Sequence, residues 1–219
     1  SENTGWNAQH VTMKVDENKI LGIIPSYIKE HSYGEYVFDQ SWAEFYDKLG
    51  LNYYPKLQSC IPFTPVTSRK LLLSEGIDDV NANTLAASIK DIVNDKGLSS
   101  AHLTFCTKDE VDILQRHNFL QRTSQQFRWE NNNYQTFDNF LENLTSRKRK
   151  MIRKERKYVE SSDIKIEIIS GKDITDEHLD AFYRFYKDTC RRKWGHAYLN
   201  REFFGLIAEK MPDKMILIL

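Results

Sequence analysis

A mixed α/β fold, α+β in character, is what this sequence predicts, on three observations. Apolar and polar residues alternate at Val11, Met13 and Val15 and again at Ile164, Ile166 and Ile168, the period of a half-buried strand. Leu85, Ile89, Ile92 and Val93 recur at the spacing of a helix with one apolar face. The 219 residues are 40% hydrophobic and include 12 Phe, 11 Tyr and 4 Trp, enough to fill a sizeable core and too many for a disordered chain.

In chain order, Val11 to Val15, the polar turn Asp16-Glu17-Asn18-Lys19 and the apolar run Ile20 to Ile24 form a β-hairpin. Tyr33-Gly34-Glu35 breaks the chain before a short helix from Ser41 to Leu49, closed by Gly50. Tyr53 to Val66 holds Pro55, Pro62 and Pro65 and reads as an irregular or edge strand, where a missing amide donor is tolerated. The helix through Leu85 and Val93 follows acidic Asp78 and Asp79 and ends before Gly97. Ala101 to Cys106 reads as a short buried strand. Thr107-Lys108-Asp109-Glu110 is a capping box, in which Thr107 and Glu110 satisfy each other's free amides, and its helix runs to His117. Asn118 takes the left-handed turn, and Leu120 to Trp129 reads as a strand.

The loop Asn131-Asn132-Asn133 divides a first unit, residues 1–130, from a second, residues 131–219. Phe137, Phe140, Leu141, Leu144, Met151, Ile152 and Val159 share one broad stripe at about 100° per residue, so one long helix is expected to carry them. A strand through Ile164, Ile166 and Ile168 follows. Thr175 caps a helix to about Lys193, ended by Gly195, and Asn200 caps another to Met211. Met215 to Leu219 is a last strand, and the sequence is expected to end inside its second unit.

The 31 basic and 31 acidic side chains cancel. The longest apolar runs, Ile20 to Ile24 and Met215 to Leu219, fall far short of the roughly 18 residues that span a bilayer, so no transmembrane segment is predicted. The start, Ser1-Glu2-Asn3-Thr4-Gly5-Trp6, lacks the basic and apolar stretches of a signal peptide. Cys60, Cys106 and Cys190 are odd in number and widely spaced, which predicts a reducing, cytoplasmic setting without a disulfide framework. Glycine spacing excludes a dinucleotide fingerprint and a P-loop; G-x-S-x-G and H-E-x-x-H are absent. His102 and Cys106 share a strand face, more as a packed pair than as ligands, and no metal site is predicted.

Neutrality conceals a polarised segment. Arg147 to Lys157 reads RKRKMIRKERK, eight basic residues and one acid in eleven positions. On a helix, Lys148 and Glu155 interrupt the apolar stripe while Arg149, Arg153 and Arg156 point away. A lone buried ammonium is expensive, so Lys148 either pairs with an acid such as Glu155 or sits where the stripe opens onto a cleft. Two readings stand: a solvated face with one snorkelling lysine, or a helix offering cations to phosphates of a substrate or of RNA. One helix on a neutral remainder is a small footprint for duplex DNA, so DNA is not a predicted partner. A second group, Cys190-Arg191-Arg192-Lys193-Trp194-Gly195-His196, closes a helix. Its cations either complement the helix dipole or, with the indole, grip a phosphate and stack a sugar or base.

Several segments in order carry a resemblance: Thr4-Gly5-Trp6, the run His31 to Asp39 (HSYGEYVFD), Tyr53-Tyr54-Pro55-Lys56-Leu57, Pro62 to Thr67 (PFTPVT), Ser146 to Arg156, and Phe182-Tyr183-Arg184-Phe185-Tyr186 with Arg192-Lys193-Trp194-Gly195. Across nearly the whole chain the sequence resembles the FemAB-like proteins of peptidoglycan biosynthesis or recognition, a branch of predicted N-acyltransferases. The resemblance implies tandem GNAT-like units, each a mixed sheet flanked by helices, with the second only begun here. It implies acyl or aminoacyl transfer to an amine of a cell-wall precursor or related acceptor. The implied donor is an aminoacyl-tRNA or an acyl-CoA, with no bound cofactor. The counterpart of the glycine-containing coenzyme A loop, Val66-Thr67-Ser68-Arg69, has no glycine. That departure admits the alternative of a noncatalytic GNAT-like module that binds precursor or RNA.

Such a transfer needs a deprotonated amine and a stabilised oxyanion. By the resemblance, Glu35 and Asp39 orient or deprotonate the amine; read alone they are surface or helix-capping acids. Lys148, Arg149, Arg153 and Arg192 would hold phosphates of tRNA or of a nucleotide-linked precursor. Tyr33, Trp194 and Tyr198 would frame the acceptor.

Overall fold

A computed structural model describes residues 4–76, 79–193 and 197–219. It is a mixed α/β structure, as the sequence predicts, in two compact units, residues 1–124 and 125–219.

The first unit contains β1 (Trp6–Ala8), β2 (Val11–Lys14), β3 (Ile20–Ile24), β4 (Tyr27–Lys29), α1 (Gln40–Lys48), β5 (Lys56–Ser59), β6 (Leu72–Leu73), α2 (Asp79–Asp95), β7 (Ala101–Leu103) and α3 (Lys108–Arg116). The predicted hairpin is β2–β3, extended by β6 into a three-stranded antiparallel sheet. A four-stranded sheet runs β1-β4-β5-β7, antiparallel except for the parallel β5–β7 pair, whose connection passes through α2 as a parallel crossover requires. The core gathers Ile24, Leu57, Leu71, Leu85, Ala86, Ile89, Leu98 and Leu114 around α2. Gly22 lets α2 approach β3 closely: a Cβ there would lie 2.6 Å from Leu85 Cδ1.

The capping box forms and does more than cap. One Glu110 oxygen accepts from the Thr107 amide at 3.1 Å, and the other accepts from the Lys70 and Leu71 amides, tying α3 to the chain entering β6. Asn118 takes the expected left-handed conformation, φ 59°.

Two strand expectations fail here. Lys56–Ser59 is an internal strand, buried at every position and paired on both sides, not an edge. Its three neighbouring prolines lie outside the paired residues, so none interrupts the ladder. Leu120 to Trp129 pairs with no strand among the described residues, and Leu120, Phe127 and Trp129 are exposed. Strand propensity without a partner ladder does not make a strand.

The second unit contains α4 (Phe137–Glu142), α5 (Ser146–Glu160), β8 (Ile168–Ser170), α6 (Asp176–Lys193), α7 (Arg201–Lys210) and β9 (Ile216–Ile218). The single long helix of the sequence reading is two helices. Asn143 closes α4, and the Thr145 side chain caps α5 by accepting the Lys148 amide, local bonds that outcompete continuation. The strand expected over Ile164 to Ile168 starts only at Ile168 and pairs antiparallel with β9; Ile164 and Ile166 are exposed. Asn200 caps α7 as expected, accepting the Phe203 amide at 3.0 Å. Leu141, Leu179, Cys190, Phe204 and Leu217 are buried, with Phe182 and Tyr186 rings edge-on to Phe204. Gly195, expected to end α6, and Asp78, expected ahead of α2, lie outside the described residues.

Candidate functional site

The four-stranded sheet has two unlike faces. Strand alternation sends Ile28, Leu57 and Ala101 toward the α2 core and places Tyr27, Lys29, Lys56, Gln58 and His102 on the other side. That second face is also buried, with Lys29, Lys56 and Gln58 at 0% exposure. A buried face built of polar side chains must be satisfied internally.

Register puts Lys29 and Lys56 directly opposite one another, with Trp6 on the far side of Lys29. Facing like charges are unfavourable on a sheet unless countered. The countercharge comes from the segment after β4. Lys56 Nζ donates to Glu35 Oε2 at 2.8 Å, to Asp39 Oδ2 at 2.7 Å and to Ser32 Oγ at 2.8 Å. Tyr53 donates its hydroxyl to the same Asp39 oxygen at 2.8 Å, and Ser32 Oγ lies 2.8 Å from the Tyr54 hydroxyl. Lys29 Nζ sits 3.7 Å from the Trp6 ring centre and donates to the Tyr33 carbonyl at 3.1 Å. Two ammoniums and two carboxylates thus share one enclosed volume.

The turn that delivers Glu35 depends on backbone conformation. Gly34 has φ +80°, and a Cβ on it would lie 2.6 Å from the Phe63 ring; the Gly34 carbonyl accepts the Phe63 amide at 3.1 Å. Tyr36, at φ 55°, is left-handed as well. These two residues turn the chain so that Glu35 points inward while Tyr33 stays exposed. Asp39 occupies the N-cap position of α1, but its carboxylate turns to Lys56 and leaves capping to its carbonyl, which accepts the Trp42 and Ala43 amides. Both acids are therefore interior groups, neither surface nor capping side chains: Glu35 is 2% exposed and Asp39 0%.

The two carboxyls differ in proton affinity. Burial pushes Glu35 up, against the opposing pull of Lys56. Burial pushes Asp39 the same way, but hydrogen bonds from Lys56 and the neighbouring hydroxyls outweigh it and hold the carboxyl below its ordinary range. One oxygen of each, Glu35 Oε1 and Asp39 Oδ1, is buried without a hydrogen-bond partner among the described residues. Burial lowers Lys29 to about 8, with Glu35 opposing and Lys56 adding to the shift. His102, lowered to about 4 chiefly by burial, is neutral, with Nε2 2.9 Å from Ser100 Oγ. Burial raises the Cys60 thiol to about 11, which leaves it protonated.

Of the residues inferred from the family-like run, Glu35 and Asp39 gather on Lys56, while the Tyr33 ring stays exposed and its carbonyl accepts from Lys29. Lys56, Lys29, Ser32, Tyr53 and Gln58 were not singled out. Their signal was present: polar residues at positions 56 and 58, flanking Leu57 in a strand, mark a second face that is not apolar.

Residues of the second unit are engaged one by one. Lys148 is exposed and lies on no buried stripe, since α5 has no buried residue; the expectation of an ammonium lodged among apolar side chains does not hold. The arginines expected to point to solvent also touch α4, Arg153 and Arg156 while staying exposed and Arg149 half-buried. Arg149 Nη1 lies 3.4 Å from each of the Leu141, Glu142 and Leu144 carbonyl oxygens, Arg153 pairs with Asp138 at 3.1 Å, and Arg156 stacks 4.3 Å from the Phe137 ring centre. Splitting the helix after Glu142 folds α4 back, so the residues that carry α5's contacts change. Arg192 pairs with Asp188 at 2.8 Å on the exposed side of α6, and the Tyr198 amide donates to the Tyr186 hydroxyl at 3.1 Å. Trp194 lies outside the described residues.

Among the described residues no three His, Cys, Asp or Glu side chains are grouped to hold a metal ion, and no helix is long and apolar enough to cross a membrane. No curated protein matches the chain. A family model does, over residues 1–219, and its description is peptidoglycan biosynthesis/recognition. By that whole-length match the chain belongs to the FemAB-like family.

Proposed function

We propose that the chain is an N-acyltransferase that passes an acyl or aminoacyl group to an amine of a peptidoglycan-type acceptor, with the Glu35–Lys56–Asp39 cluster as its reactive centre. The observation that carries this reading is Glu35: a carboxyl with raised proton affinity, one oxygen on Lys56 and the other buried without a partner among the described residues. An acceptor amine arrives as a cation and must lose a proton before it attacks. Glu35 takes that proton, the amine nitrogen bonds to the donor's ester or thioester carbonyl carbon, and the leaving oxygen or sulfur departs with a proton. Asp39, held ionised by its donors, fixes Lys56 and through it Glu35. Access requires the Tyr33–Tyr36 turn to lift, and the exposed Tyr33 ring then borders the opening.

The donor is an aminoacyl-tRNA or an acyl-CoA, and the setting is the cytoplasm. Lys148, Arg153 and Arg192, all exposed, are the candidates for phosphate contact, while Arg149 is occupied by the carbonyls at the end of α4. A GNAT-like first unit, with a second one begun, is consistent with the β5–β7 pair crossed by α2.

A second reading is a noncatalytic module that recognises cell-wall precursor, favoured by the complete burial of the cluster. Incubation with charged tRNA, acetyl-CoA and muropeptide amines, followed by mass spectrometry, separates the two. A mass shift on the amine supports transfer. Saturable muropeptide binding without product from any donor supports the module.

A further inference from the structure

The second unit carries a cationic surface that its interior leaves unused. The eight basic residues between 147 and 157 divide by chemistry and by direction. Arg149, Arg153 and Arg156 turn toward α4, as carbonyl cap, ion pair and ring contact. Arg147, Lys148, Lys150, Lys154 and Lys157 are exposed, and none pairs with an acid among the described residues. At about 100° per residue these five surround the side of α5 opposite Arg149 and Arg156. Met151 and Tyr158 fall along the middle of that side, 44% and 77% exposed. Glu155 is the acid that shares it.

We propose that this face of α5 docks the chain on an anionic lipid bilayer surface. Lysine stems lie along an apolar boundary while their ammoniums stay in water, and a Tyr ring with a Met thioether suits the headgroup level between them. A helix with four to eight such cations is drawn to anionic lipid, each contributing through the surface potential. RNA fits less well. Arginine forks make bidentate phosphate contacts, and here three of the four arginines are engaged with α4, leaving mostly lysine point charges that match a diffuse headgroup layer. This inference shares only Lys148 with the proposed phosphate contacts, reads vesicle binding rather than turnover, and survives the failure of acyl transfer.

Co-sedimentation of the full chain with vesicles tests it. Binding is expected to phosphatidylglycerol–phosphatidylcholine vesicles and not to phosphatidylcholine alone, and it weakens as salt rises. The combined variant Lys148→Gln, Lys150→Gln, Lys154→Gln, Lys157→Gln loses about tenfold or more in vesicle affinity. The pair Met151→Ser, Tyr158→Ser, which keeps the charge, weakens binding several-fold; circular dichroism checks that both variants keep the wild-type helix content. Equal binding to neutral vesicles, no binding to either kind, or undiminished binding by the lysine variant overturns the proposal. Saturable binding of tRNA with vesicles ignored assigns the face to RNA and overturns it equally.

Discussion

Lys56 and Lys148 sit at opposite extremes of one physical scale. The first is alone in its stretch of sequence, fully buried, and held by two carboxylates and a hydroxyl; the second belongs to the densest run of charge in the chain and is exposed. Charge density along the sequence does not report where charge matters energetically. A run of like charges stays in solvent because burying all of it is prohibitive, whereas one lysine on a strand can be enclosed if acids are folded over it.

The widest separation between the two regions is in stability. Lys56→Ala leaves Asp39 and Glu35 buried without their cation and is expected to cost about 3–5 kcal/mol in denaturant unfolding. Lys148→Ala is expected to cost less than about 0.5 kcal/mol, as for other exposed sites without partners. Comparable losses at the two positions would erase the contrast.

Gly34→Ala sharpens the account of how the acids are delivered. With φ at +80° and the Phe63 ring against its face, the added methyl is expected to cost about 1–3 kcal/mol in thermal or chemical unfolding and to impair the placement of Glu35.

A pH effect of definite sign belongs to the first unit. Folded Lys29 releases its proton near 8, and the unfolded lysine keeps it to about 10.5. Between those values the unfolded chain binds more protons, so the Lys29 contribution makes stability rise with pH. Lys29→Met is expected to flatten that rise in unfolding curves taken from neutral to alkaline pH; an identical slope in the variant would remove Lys29 as its source.

The smallest predicted difference lies within α5. Arg149→Ala removes a cap on the α4 carbonyls and is expected to cost about 1 kcal/mol, more than Lys148→Ala one residue away. Equal costs would mean the Arg149 contacts contribute nothing.

What was legible in the sequence followed from local rules. The β2–β3 hairpin, α2, the Thr107–Glu110 box, the Asn118 turn and the Asn200 cap each depend on residues within one turn or one strand pair. What was hidden depended on partners far along the chain. The role of Lys56 was hidden because the acids that hold it, Glu35 and Asp39, lie 21 and 17 residues away and are brought over by the turn at Gly34. The α4–α5 break was hidden because an apolar stripe runs through it, while the capping bond that decides the outcome involves a single threonine. Glu35 and Asp39 were found through family likeness, and only the folded structure separates the acid whose proton affinity is raised from the one held below its ordinary range.

The central claim is that Glu35 is the proton acceptor of a transferase, and Glu35→Gln addresses it most directly, because the amide keeps the carboxyl's shape and removes its basicity. Turnover is measured as acyl or aminoacyl mass added to a muropeptide amine, beside the melting temperature of the same preparation. The account predicts a loss of roughly a hundredfold or more in turnover with the fold retained. A folded Glu35→Gln protein that transfers at the wild-type rate would contradict it.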